Sequence, residues 1–191
     1  MEIKDRIRSR LAALKPKELA EGFIREAAIL MPVLKWKNEH CFLLTQRTEE
    51  VQTHKGQISF PGGMREGRED LMKTALRETF EEVGIEEDRI EILGRFHDYI
   101  SIHSYRVTPF VGFLHEPYEI RPQVTEVAEV LKVPLPIFQD PARLRIEKSP
   151  ERNGMDVYYF SYGRHQIWGL TAWIIKDFMD ALDGRPGLSH S

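Results

Sequence analysis

Residues 60–85 constrain this chain more than any other stretch. Phe60-Pro61-Gly62-Gly63 is a tight turn of the kind glycine permits, and residues 69–83 then carry the strongest helix pattern in the chain, with Gly84 placed to stop it. On a wheel of about 100° per residue, Met72, Ala75, Leu76, Thr79 and Val83 fall within one arc, an apolar stripe that requires a core to face. Glu78, Glu81 and Glu82 fill a second arc. Any fold for this chain must bury the first stripe and find a use for the second.

The remaining patterns indicate what the stripe is buried against. Ile3, Ile7, Leu11 and Leu14 recur at helical spacing until Pro16 interrupts them, so residues 3–14 are expected to form an amphipathic helix with a basic outer face. Strands are predicted at 27–34 and 41–45, joined as a hairpin across Lys37-Asn38-Glu39, and again at 90–96, 106–114 and 156–162. Residues 48–67 read as loop, 125–131 as a short helix, and 170–182 as a closing helix with Leu170, Ile174, Phe178 and Leu182 on one face. Strands interleaved with helices in this order predict an α/β fold, a mixed sheet covered by helices on both faces. At 191 residues the expectation is a single domain over 1–191, with the first helix as an extension.

Composition removes several function classes. Twenty-seven Lys and Arg against 30 Asp and Glu leave a formal net charge of -3, so no global positive field recruits nucleic acid or an anionic membrane. The longest apolar run, 167–175, falls well short of the ~18 residues needed to cross a bilayer and contains Gly169 and Thr171. The single cysteine, Cys41, lies in the apolar run Cys41-Phe42-Leu43-Leu44 and reads as a buried thiol in a reducing compartment. The N-terminus lacks the apolar core of a secretory signal, and Ser189-His190-Ser191 is no peroxisomal address, so a cytoplasmic location is expected.

Clustering three glutamates over little more than one helical turn is unfavourable by itself, since like charges at i,i+4, as in Glu78 and Glu82, repel. A bound divalent cation reverses the sign of that interaction, and hard oxygen ligands on one helical face suit Mg2+ or Mn2+. A solvated acidic face is the alternative that spacing alone leaves open. The turn at Phe60-Pro61-Gly62-Gly63 favours the cation, because it can bring backbone carbonyl and amide groups close to a metal or a phosphate.

Taken together, Gly63, five residues, Glu69, seven residues, and then Arg77-Glu78-Thr79-Phe80-Glu81-Glu82-Val83-Gly84-Ile85 resembles the Nudix box, G-x5-E-x7-R-E-U-x-E-E-x-G-U, over 63–85. Every charged and glycine position matches; Thr79 stands where the pattern has a bulky aliphatic residue, and its methyl can still be buried. The resemblance implies the Nudix fold, an α/β/α sandwich around a mixed sheet, and metal-assisted attack of water on the diphosphate of a nucleoside diphosphate linked to another moiety. It also implies roles: Glu78 and Glu82 as metal ligands, Glu81 as a ligand or water-mediated partner, the Gly62 carbonyl as a further ligand, and Glu69 with Arg77 as a structural ion pair. Metals bridging a diphosphate neutralise developing charge and lower the pKa of bound water, which agrees with these roles. The general base stays open among Glu78, Glu81, Glu126 and Glu129, the last two reading equally as exposed first-turn glutamates.

Upstream, Leu43-Leu44-Thr45-Gln46-Arg47-Thr48, Gly56 and Phe60-Pro61-Gly62-Gly63 are similar to the extra motif of coenzyme A diphosphatases, LLTxR(S/A)x3Rx3Gx3FPGG. Thr48 stands for Ser or Ala, and Gln52 replaces an arginine, which removes a cation from a region expected to meet an anionic substrate. The segments 107–112, 133–135 and 167–172 also look like that subfamily. The resemblance implies hydrolysis of coenzyme A or its derivatives to 3',5'-ADP and 4'-phosphopantetheine, with Arg47, His54, Lys55 and Gly56 as substrate-binding candidates. Trp168 and Trp173 could stack on adenine or belong to the core. ADP-ribose or a dinucleotide such as NADH is the alternative substrate, and a non-catalytic nucleotide sensor the remote one; all four glutamates of the motif, Glu69, Glu78, Glu81 and Glu82, are present. The first helix either caps the domain or pairs with a second copy as a homodimer.

Overall fold

In the computed structural model, residues 2–19, 25–48, 56–150 and 154–187 are described. They form helices α1 (Ile3–Ala13), α2 (Leu71–Val83) and α3 (Gly169–Leu182). The strands are β1 (Glu26–Trp36), β2 (Glu39–Arg47), β3 (Ile58–Ser59), β4 (Gly62–Met64), β5 (Ile90–Arg95), β6 (Tyr99–Ile100), β7 (Arg106–Leu114), β8 (Val127–Pro134), β9 (Leu144–Ser149), β10 (Met155–Tyr162) and β11 (His165–Trp168). Among the described residues, β1 to β8 make one mixed sheet and β9 to β11 a smaller antiparallel one.

β1 is the axis of the larger sheet. One edge runs parallel to β7 from Glu26 opposite Arg106 to Val33 opposite Phe113. The other edge serves two partners in succession, β4 over Ala27 to Ile29 and β2 over Val33 to Trp36. Lys37 and Asn38 both adopt positive φ, 47° and 66°, the left-handed pair that a two-residue hairpin turn needs. Beyond that short zipper the hairpin opens, and residues 58–64 fill the wedge: β3 pairs with β2, β4 pairs with β1, and the Leu30 amide donates to the Pro61 carbonyl at 2.9 Å. Pro32 falls where β1 changes partner, the point at which a missing N–H removes no ladder bond from that edge.

Period-two alternation on β1 and β2 gives each strand two buried faces. Ala28, Leu30, Leu34, Cys41 and Leu43 meet Ala75, Leu76 and Val83 of α2 on one side. Met31, Val33, Phe42 and Leu44 meet Ile7 and Leu11 of α1 and Ile174, Phe178 and Leu182 of α3 on the other. The expected sandwich with helices on both faces is what the chain forms. Burying a side chain such as Leu76 in this way contributes about 2 kcal/mol.

Two expectations are corrected. The helix read at 125–131 is a strand, β8, antiparallel to β2 from Pro134 opposite Cys41 to Val127 opposite Arg47. Only one helical turn forms ahead of it, where the Val127 amide donates to the Gln123 carbonyl at 2.8 Å. Leu131 and Val133 then lie on one buried face, opposite Leu44 and Phe42 of β2, and strand pairing overrides the coincidental helical spacing. The box helix starts at Leu71 rather than Glu69, because the Asp70 carboxylate caps it by accepting from the Met72 and Lys73 amides at 2.9 and 3.3 Å. β9 and β11 were not expected: the apolar alternation of β9 is only two residues, Leu144 and Ile146, set among charged ones, and β11 is four residues long.

Candidate active site

The wedge between β1 and β2 delivers Pro61, Gly62 and Gly63 to the side of α2. Gly84 ends that helix in the left-handed conformation at φ 68°, its amide donating to the Phe80 carbonyl at 2.8 Å. The two glycines of the wedge do separate jobs. A Cβ on Gly62 would strike the Ala28 carbonyl and the backbone of Ile29, whereas one on Gly63 would strike the carboxyl group of Glu78. Gly62 therefore lets two strands close, and Gly63 gives the Glu78 side chain room against the main chain.

Arg77 organises the outer half of the site. Its Nε and Nη2 donate to Glu69 Oε1 and Oε2, its Nη1 donates to Glu78 Oε1 at 2.9 Å and to Glu81 Oε2 at 3.0 Å, and Nη2 also reaches the Met64 carbonyl at 3.2 Å. Starting the helix after Asp70 leaves Glu69 on the lead-in, where Thr74 Oγ1 adds a 2.8 Å bond to its carboxylate. The Arg77 guanidinium holds the Glu69 carboxyl below its ordinary range. Glu78 moves the other way, pushed up by burial despite the same guanidinium, with Glu81 and Glu126 adding repulsion.

Glu82 forms the inner half. It is 6% exposed, the most buried carboxylate of the three box glutamates, and burial pushes its pKa up to about 7 against the pull of Arg47, the Gly62 amide and Thr45. Thr45 Oγ1 lies 3.3 Å from Glu82 Oε2. The Arg47 Nε is buried with no partner among the described residues. Thr79, the departure from the box pattern, is fully buried, its hydroxyl satisfied by the Ala75 carbonyl at 2.7 Å.

The structure thus brings Glu69, Arg77, Glu78 and Glu81 into one network and places Glu82 behind them with Thr45 and Arg47. Among the described residues no three acidic, histidine or cysteine side chains converge as a finished metal cage, because Arg77 draws Glu78 and Glu81 to itself. The donor set nevertheless fits a hard divalent cation: carboxylate oxygens, one of them on a buried, desolvated glutamate, beside a glycine backbone. Gly56 is at the foot of the connection from β2 to β3, its carbonyl accepting from Gln46 Nε2 at 3.3 Å; His54, Lys55 and Gln52 lie outside the described residues. Glu126 is exposed near Glu78, whereas Glu129 is engaged elsewhere, accepting from Arg164 at 2.8 Å with His165 at 3.5 Å. Trp173 packs edge-on to Tyr99, and Trp168 is 43% exposed with its ring stacked on Tyr159 at 6.2 Å. Sequence reasoning passed over Thr45 as a partner of the box; the signal was its parity with Leu43, which puts both on the α2 side of β2.

The family profile described as the NUDIX domain matches residues 24–152. The chain belongs to the Nudix family. Similar relatives include the Nudix hydrolase NudL of Photorhabdus laumondii, described as uncharacterized and 36% identical over 162 residues, covering 84% of this chain and 86% of that protein. NudL of Enterobacter sp. strain 638, described in the same way, is 32% identical over 186 residues, 93% and 94% of the two chains. Among solved structures, a MutT/nudix family protein from Enterococcus faecalis superposes with a TM-score of 0.53 at 16% identity, covering 96% of this chain and 70% of that one. A C. elegans Ap4A hydrolase binary complex gives 0.52 at 22% identity over 58% and 81%. These two likenesses show the Nudix fold. The chain is a Nudix hydrolase, an enzyme that cleaves the diphosphate linkage of small nucleotide-derived substrates, and Nudix hydrolases work with divalent metal ions. No helix among the described residues is long and apolar enough to cross a membrane.

Proposed function

We propose that this Nudix hydrolase cleaves the diphosphate of coenzyme A or its derivatives, releasing 3',5'-ADP and 4'-phosphopantetheine or its acylated form. The observation that carries the reading is the placement of the upstream motif: Thr45 and Arg47 of β2 stand against Glu82, and Phe60-Pro61-Gly62-Gly63 fills the wedge beside Glu78. Motif and box are therefore parts of one site.

Glu78 and Glu82 would hold Mg2+ or Mn2+, with Glu81 and the Gly62 carbonyl contributing. A divalent cation there supplies Lewis acidity toward the diphosphate and lowers the pKa of water. Glu69 and Arg77 fix the lead-in of the helix and the line of box glutamates. Arg47, whose buried Nε has no partner among the described residues, would meet a phosphate oxygen, with Gly56, His54 and Lys55 as further substrate-binding candidates. Glu78, its carboxyl raised by burial, and the exposed Glu126 near it are the candidates to accept the proton of the attacking water.

The second reading, hydrolysis of ADP-ribose or of a dinucleotide such as NADH, is favoured by Gln52 in place of the motif's arginine. Product analysis by mass-resolved chromatography, with Mg2+ or Mn2+ and separately coenzyme A, 3'-dephospho-coenzyme A, ADP-ribose and NADH, separates the two. Release of 3',5'-ADP from coenzyme A, with the dephospho form clearly poorer, is the expected result. Preference for ADP-ribose or NADH overturns it.

A further inference from the structure

Positions 43–47 of β2 alternate between the two faces of the sheet. Phe42 and Leu44 join the core beneath α1 and α3, whereas Leu43 joins the core beneath α2. Thr45 shares the parity of Leu43 and is 1% exposed, so its hydroxyl has no access to water and must find protein partners. It has two acceptors in reach, Glu82 Oε2 at 3.3 Å and the Ser59 carbonyl of β3 at 3.4 Å. A β-branched side chain on a strand paired on both edges is stiff at χ1, which makes it a rigid support for a neighbouring group. The opposite partner needs such support: Glu82 is a carboxylate 6% exposed at the end of a flexible side chain, and its rotation decides which oxygen faces the site.

We propose that Thr45 is a positioning residue for Glu82: its hydroxyl, held between the β3 backbone and the Glu82 carboxylate, fixes the orientation in which that carboxylate receives a divalent cation. The proposal rests on the reading of Glu82 as a metal ligand. It gives the threonine of the upstream motif a task in the box rather than in recognition of the substrate's distal parts, so its effect is independent of which diphosphate is cleaved. Partners that orient ligating carboxylates typically change metal affinity by about 10–100-fold when removed.

The test uses the full chain and three substitutions, Thr45→Val, Thr45→Ser and Glu82→Gln. Mn2+ binding to the purified protein without substrate is measured by titration with electron paramagnetic resonance detection of free Mn2+. The kcat, the KM for substrate and the half-saturating Mn2+ concentration are then measured with whichever diphosphate the product analysis shows to be cleaved fastest. Thr45→Val should weaken Mn2+ binding at least ~10-fold and raise the half-saturating Mn2+ concentration in parallel, with substrate KM unchanged and Thr45→Ser restoring both. If Thr45→Val does not fold, Thr45→Ala carries the same expectation. Unchanged Mn2+ binding in Thr45→Val while Glu82→Gln loses it overturns the proposal alone, as does a Thr45→Ser variant as defective as Thr45→Val, which would make the methyl group the important part. Unchanged binding in Glu82→Gln overturns the metal-ligand reading and the proposal together.

Discussion

Arg77 grips Glu69 through two parallel hydrogen bonds, Nε to Oε1 and Nη2 to Oε2, each 3.2 Å long. A planar guanidinium is required for that fork, and the same group continues to Glu78, Glu81 and the Met64 carbonyl. Arg77→Lys keeps the charge and loses the fork. The pair is about a quarter exposed, so solvent screening moderates the effect, and a destabilisation of about 1–2 kcal/mol, seen as a fall in Tm of a few degrees by calorimetry, is expected.

The same pair sets an acid limit. Because Arg77 holds the Glu69 carboxyl below its ordinary value of 4.5, its ionised form stabilises the fold at pH values above that figure, and the contribution is lost as pH falls through the lowered folded pKa. Denaturant titrations of the parent and Glu69→Gln should therefore differ by a constant amount at neutral pH and converge below about pH 4. A difference that stays constant to pH 3 would contradict this.

Gly62 and Gly63 are adjacent, and alanine at each should fail differently. A methyl at 62 meets main chain on β1 and has nowhere to go, so Gly62→Ala is expected to lower stability by about 2 kcal/mol or more. A methyl at 63 meets the end of the Glu78 side chain, which can swing aside. Gly63→Ala should leave the denaturation midpoint close to that of the parent and depress turnover at least tenfold.

Burial of Glu82 carries a cost for the metal-free fold. A carboxylate 6% exposed is poorly solvated, and without a cation it opposes folding. Glu82→Gln should reduce metal-dependent turnover at least ~100-fold while metal-free protein unfolds at a temperature equal to or above that of the parent. A variant with near-parental activity would remove Glu82 from the machinery.

Cys41 is fully buried between the sheet and α2, and burial pushes its thiol up to about 11. At pH 8 the thiolate is on the order of one part in a thousand, so the folded protein should resist thiol-specific reagents and react stoichiometrically once unfolded in guanidinium. Rapid labelling of the folded chain would show that β2 opens.

The parts of the fold readable in the sequence are those whose signals are local. Residues 69–83 announced a helix by stripe and stop, and Gly84 and the turn at Lys37-Asn38 do what their residue types suggest. The box supplied Glu69, Arg77, Glu78, Glu81 and Glu82 by spacing, and the structure gathers them around one helix. Residues 125–131 misled because Val127 and Leu131, four residues apart, fit helical spacing as well as a strand, and pairing with β2 decides for the strand. The Thr45 contact to Glu82 joins residues 37 positions apart through a sheet edge and a helix face, a relation that no single stretch of sequence encodes. Nor did spacing show that one arginine would hold three of the four glutamates.

The wedge between β1 and β2 leaves a further mark on the enzyme. Both stems of the connection that follows β2 are pinned, the Arg47 amide donating to the Gln57 carbonyl at 3.0 Å and the Thr48 amide to the Glu126 carbonyl at 2.9 Å. Chain closure is thus already accomplished at residues 47 and 57, whatever lies between them. Doubling the length of a closed loop adds only about 0.6 kcal/mol of entropy loss. Grafts of foreign sequence at this point should be tolerated thermodynamically, while the glutamates stay where the helix puts them.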